Sequence, residues 1–128
     1  MIEPARYVAG RAAEAAQPAY HYRFSYVAES VRAGSKGEAH ASEIPYFLDT
    51  VATKYGPATT AGDRAIARTI SAYVVNFVKT GDPNGPGLTA WPRFRGGEVM
   101  DFAPDGAARS GNDPWSDRLD LVGPDGPG

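Results

Sequence analysis

Between Ala19 and Val27 the residues alternate strictly: Tyr20, Tyr22, Phe24 and Tyr26 share one face, opposite Ala19, His21, Arg23, Ser25 and Val27. A period of two puts successive side chains on opposite sides of a strand. Four aromatics on one side make this a sheet strand with a buried face. A second segment has the helical period. Ile66, Ile70, Tyr73, Val74, Phe77 and Val78 come at steps of four, three, one, three and one, which is one apolar stripe of an amphipathic helix. Thr60 with Asp63 three residues later marks its start, and Gly81 beyond Lys79 marks its end. Strand and long helix each carry one apolar face that must be packed into a core.

The remaining segments are shorter. Pro4 to Gln17 reads as an alanine- and arginine-rich helix ending before Pro18. Residues 28–42 read as a polar loop, Glu43 to Thr50 as a short helix with Pro45 in its first turn, and Gly56-Pro57 as a break. Asp82 to Gly87 is dense in turn residues, with Trp91-Pro92 and Phe94 expected to pin that loop onto the body. Glu98 to Phe102 predicts a second strand. Beyond Pro104 the sequence turns to Gly, Pro and Asp, with one expected local anchor from Pro114-Trp115 to Leu121. Residues 1–122 are expected to form one segment of a domain, and 123–128 a disordered tail.

Composition excludes several functions. Thirteen basic residues face fifteen acidic ones, for a net charge of −2, so no basic stripe marks a nucleic-acid site. The absence of cysteine removes disulfides, thiolate metal sites and a cysteine nucleophile. No stretch approaches the ~18 apolar residues of a membrane span, so no membrane partner is expected. Met1 to Arg6 does not read as a signal peptide, and localisation stays open.

The chemistry-bearing feature is Gly37-Glu38-Ala39-His40-Ala41-Ser42-Glu43-Ile44-Pro45-Tyr46, a lone histidine in a small-residue loop between the strand and an apolar helix start. Taken with Tyr22-Arg23-Phe24, with Asn76-Phe77-x-x-Thr80-Gly81-Asp82-Pro83-Asn84 and with Trp91-Pro92, it resembles the C-terminal quarter of type-B carboxylesterases, the family that includes the cholinesterases. The resemblance runs from about Ala5 to Leu121. It implies the last part of an α/β-hydrolase fold with an incomplete sheet: about two strands, one long helix and shorter ones. It also implies that His40 is the general base of a Ser-His-Glu or Ser-His-Asp triad acting on a carboxylic ester, with no metal or organic cofactor. Glu43 is then expected to support the loop, not to be the triad acid. The sequence departs from the family pattern in two places: Val74 stands where tryptophan is usual, and Phe47-Leu48 replaces the commoner Val-Phe.

The partners of such a base are not in the sequence. None of the seven serines sits in a G-x-S-x-G elbow, and no glycine-rich oxyanion segment occurs. In this fold the chain order is serine, acid, histidine, so both partners are expected upstream of this segment. The leading expectation is a piece of a carboxylesterase, with Met1 an internal start or a cut, that is inactive alone. The rival is a non-catalytic interaction module, or a half that docks onto a separate N-terminal part. Other readings stay open at this level. His40 also reads as a plain loop histidine, as part of a Glu38-His40-Ser42 site, or as a metal ligand with Glu43 and Glu38 or His21. The aromatic strand face reads alternatively as a stacking platform.

Overall fold

A computed structural model describes residues 2–37 and 41–113; the expected anchor at Pro114 to Leu121 and the tail at 123–128 lie outside them. The elements are α1 (Ile2–Glu14), β1 (Tyr22–Phe24), α2 (Ile44–Phe47), α3 (Val51–Tyr55), α4 (Ala61–Thr80), β2 (Glu98–Phe102) and β3 (Ala108–Asn112). The sheet order is β1-β2-β3. β1 runs parallel to β2, with Tyr22 opposite Met100 and Phe24 opposite Phe102, and β3 is antiparallel to β2. A parallel pair needs a long crossover, and the segment holding α2, α3 and α4 provides it.

The sheet's aromatic face meets α4. Ile66, Ala67, Ile70 and Tyr73 of the helix are buried together with Phe24, Met100 and Phe102 of the strands. Trp91 joins them edge-on, its ring 5.5 Å from that of Tyr73 and 5.9 Å from that of Phe102. The Gly-Asp-Pro-Asn loop holds Trp91 in place. The Trp91 amide donates to Asn84 Oδ1 at 2.6 Å, and Asn84 Nδ2 donates to the Trp91 carbonyl at 2.9 Å. The indole N–H then reaches the His21 carbonyl at the start of β1. Trp91 and Phe94 therefore pin the loop as their types predict.

Four expectations are corrected. A third strand exists where only a Gly- and Asp-rich tail is expected. Ala-Arg-Ser-Gly-Asn has no apolar alternation, and backbone pairing to β2 after a turn at Gly106 (φ 84°) makes it a strand. The strand over 19–27 pairs as a ladder only at Tyr22–Phe24. The helix over 43–50 stops at Phe47: Asp49 turns left-handed (φ 53°), and the Thr50 amide bonds back to the Pro45 carbonyl. Helix α1 stops the same way at Ala16 (φ 58°), with the Gln17 amide on the Ala12 carbonyl. Both are Schellman-type endings, but neither uses glycine, so neither stop is signalled by composition.

The apolar stripe of α4 is buried over only part of its length. Tyr73 is fully covered and Val74 half-covered, whereas Phe77 is 47 % and Val78 78 % exposed. Phe102→Ala should therefore cost about 3–5 kcal/mol in urea unfolding, while Val78→Ser should change stability by less than ~0.5 kcal/mol.

Candidate functional site

His40, with Glu38 and Ala39, lies outside the described residues; the frame on either side of it is described. The leading limb leaves β1 through Tyr26 and Ala28, both buried, and makes a single 3-10 turn at Arg32–Gly34. Arg32 steadies that turn. Its guanidinium lies 5.4 Å from the Tyr26 ring centre, and it donates to the carbonyls of Val27 and Pro104. At Gly37 the backbone has φ 144°, a conformation glycine alone adopts without strain, and Ser35 Oγ bonds both its amide and its carbonyl. On the far side Ala41 is left-handed (φ 60°), and the Ile44 amide bonds back to its carbonyl. A non-glycine residue in that region costs roughly 1–2 kcal/mol, so the return turn is imposed by the packing of the next helix.

That helix is α2. Its Tyr46, 1 % exposed, packs its ring on Phe24 and Tyr26 at centroid distances of 5.1 and 5.6 Å. Burial raises the pKa of the Tyr22 hydroxyl, and the carboxylate of Glu43 beside it raises it further. Glu43 thus reaches from the loop exit back to β1. Two hydroxyls here, Ser42 Oγ and Tyr46 Oη, are buried and find no hydrogen-bond partner among the described residues.

Against the leading limb sits a buried carboxylate. Asp63 is 0 % exposed. Its Oδ1 accepts the Tyr26 hydroxyl at 2.6 Å and the Glu29 amide at 3.1 Å, and its Oδ2 accepts the Thr60 amide at 3.1 Å. The Asp63 amide in turn donates to Thr60 Oγ1, completing a capping box at the start of α4. Burial opposes ionisation of Asp63, but the bonds from Tyr26, Thr60 and Glu29 outweigh it and hold its pKa below the usual carboxyl value. Sequence spacing identifies the Thr60–Asp63 pair as a helix cap. It carries no signal for the long-range bonds to Tyr26 and Glu29.

The other candidate residues fall in three places. Phe24 and Tyr26 are core. Tyr20 and Tyr22 are half-buried and, with Phe47, Val74, Phe77 and Trp91, line an apolar cavity of about 250 Å³. His21 lies edge-on to Phe94, its buried Nδ1 without a hydrogen-bond partner among the described residues. Burial lowers its pKa, against an opposing pull from Asp113. No three His, Asp or Glu side chains come together to hold a metal among the described residues, a set that omits His40 and Glu38.

The parallel β1–β2 pair with its helical crossover belongs to an α/β-hydrolase. The chain superposes on the crystal structure of a carboxylesterase from Geobacillus stearothermophilus with a TM-score of 0.68 and 26 % identity, over 89 % of this chain and 23 % of that one. The family model described as the carboxylesterase family matches residues 1–112, and the chain belongs to that family. It is 30 % identical over 91 residues to the medium-chain fatty acyl-CoA hydrolase precursor of Anas platyrhynchos, covering 63 % of this chain. It is also 30 % identical over 89 residues to carboxylesterase 5A of Canis lupus familiaris. The matched part spans 15 % of the length of each of these two relatives.

Two groups should make stability pH-dependent on the acid side. The folded pKa of His21 lies below its unfolded value, so its contribution is complete above ~6.5 and is lost as pH falls through the lower folded value. Asp63 does the same below ~3.9. Urea midpoints measured from pH 7 to pH 3 should show the upper step flattened by His21→Phe and the lower one by Asp63→Asn.

Proposed function

We propose that this chain supplies the general base, His40, to a serine-dependent carboxylic ester hydrolase, and that by itself it does not turn over esters. The observation that carries the reading is the run Gly37-x-x-His40-x-x-Glu43-Ile44-Pro45-Tyr46 inside a family match that contains no G-x-S-x-G. In the reaction the imidazole takes the proton of a serine hydroxyl as the oxygen attacks the ester carbonyl. It then returns that proton to the departing alcohol. Imidazole as a group suits both steps, because its unperturbed pKa of ~6.5 leaves it mostly neutral yet readily protonated at neutral pH. Serine, oxyanion donors and triad acid come from outside this sequence. General-base help is worth only ~10²–10⁴-fold, against at least ~10⁶-fold for enzymes as a class. With p-nitrophenyl acetate the purified chain should show no saturation and no more rate than free imidazole at equal concentration. Saturable turnover abolished by His40→Ala would overturn its predicted inactivity.

A second reading, docking onto a separate part of the same fold, is favoured by one specific feature. The edge of β1 away from β2 pairs with no strand among the described residues, and the apolar cavity opens between Tyr20, Val74 and Phe77 close beside it. Unpaired strand edges and exposed apolar faces drive association. A docking half should bind 8-anilinonaphthalene-1-sulfonate and self-associate in size-exclusion chromatography, with Phe77→Asp reducing both. A monomer with a sharp thermal transition and no dye binding would count against it.

A further inference from the structure

The loop that carries His40 begins and ends on the same side chain, and that side chain is held by one carboxylate. On the leading side, Tyr26 is the last buried aromatic of the β1 segment, and the chain reaches Glu29 three residues later. On the returning side, Tyr46 is buried against the Tyr26 ring. Asp63 bonds the Tyr26 hydroxyl and the Glu29 amide through one oxygen, and the Thr60 amide at the head of α4 through the other. We infer that Asp63 is a positioning residue for the His40 loop: through Tyr26 it ties both limbs of that loop to the N-terminus of α4.

Helix capping alone does not account for this geometry. A capping box needs only the Thr60 hydroxyl on the Asp63 amide and the Asp63 carboxylate on the Thr60 amide, which uses Oδ2. Oδ1 is left for the strand limb, and both of its bonds go there. The usual acid at this third helical position is glutamate. Aspartate is one methylene shorter, and here it meets Tyr26 and Glu29 as well as Thr60. Hydrogen bonds to an ionised, buried carboxylate are among the stronger ones in a protein, and leaving one of its donors unpaired is costly. The tether is therefore stiff. The Arg32 guanidinium against the Tyr26 ring reinforces the leading limb at the same point.

This inference rests on reading His40 as the base, and its test is separate from the esterase assay. Tyr26→Phe keeps the ring on which Tyr46 packs and keeps the capping box, but removes the hydroxyl. Asp63→Glu keeps an acid for Thr60 and displaces the carboxylate from Tyr26 and Glu29. In amide hydrogen exchange on the whole chain, both variants should exchange roughly tenfold faster across residues 27–43, the factor expected for one lost buried bond. Amides of α4 from Ile70 onward and of β2 should hold their protection. The His40 ring ¹H–¹³C signal should shift or broaden while that of His21, in β1's own segment, serves as the unmoved control. A uniform rise in exchange over α4 and β2, or unchanged exchange over 27–43 in either variant, would overturn the tether and leave the reading of His40 untouched. Conversely, in an esterase reassembled from this chain and the serine-bearing remainder of the fold, saturable turnover that survives His40→Ala would overturn the base and leave the tether standing.

Discussion

The register of Tyr22–Phe24 against Met100–Phe102 is the contact on which the rest of the molecule depends. It joins the early and late parts of the sequence, and the cost of closing so long a loop falls before any local gain appears. Three residues of ladder would not offset that cost alone. What makes the pairing hold is the apolar layer above it, where Ile66, Ile70 and Tyr73 of the long helix and Trp91 cover the aromatic face. Pairing and cover need each other. The helix lies where it does because the strand's aromatics face it.

Much of this was legible in the residues. Tyr20 to Tyr26 showed the sheet by a period of two, and Ile66 to Tyr73 showed the long helix by its stripe, with Thr60 and Gly81 as start and stop. These are short-range patterns, written by side chains that face a core. The features that stayed hidden have other causes. β3 is held by backbone bonds to β2, and from Arg109 to Asn112 its residues are exposed and lack any apolar side chain, so no side-chain period reveals it. The ends of α1 and α2 use Ala16 and Asp49 in a conformation that usually draws glycine. The exposure of Phe77 and Val78 depends on what lies opposite the helix end, which the stripe itself does not encode.

The candidate site was legible in a different way. His40 and its neighbours stood out through a string of residues that matches a family, not through any period. The Asp63 cluster shows the limit of such reading. Thr60 and Asp63 are close in sequence and so visible as a pair, whereas Tyr26 and Glu29 meet the same carboxylate only once β1 and α4 are in place. Exposed carboxylates in the same chain obey local rules. Asp105, for example, is held at about 2 by the Arg109 guanidinium and the Ala107 amide nearby.

The Asn84–Trp91 clamp has a consequence for how this part of the family can vary in length. The two hydrogen bonds between the Asn84 amide group and the Trp91 backbone tie the neck of the intervening loop. Inside the neck, the Tyr73 hydroxyl holds the Thr89 carbonyl and Leu88 packs on the core, while a side chain at Gly85 would strike Asn76. Pro86 and Gly87, both exposed and separated from the two clamping residues, are then a place where residues can be gained or lost without moving the helix end or the tryptophan. Insertions in homologous chains, and peptide tags in engineered ones, belong there.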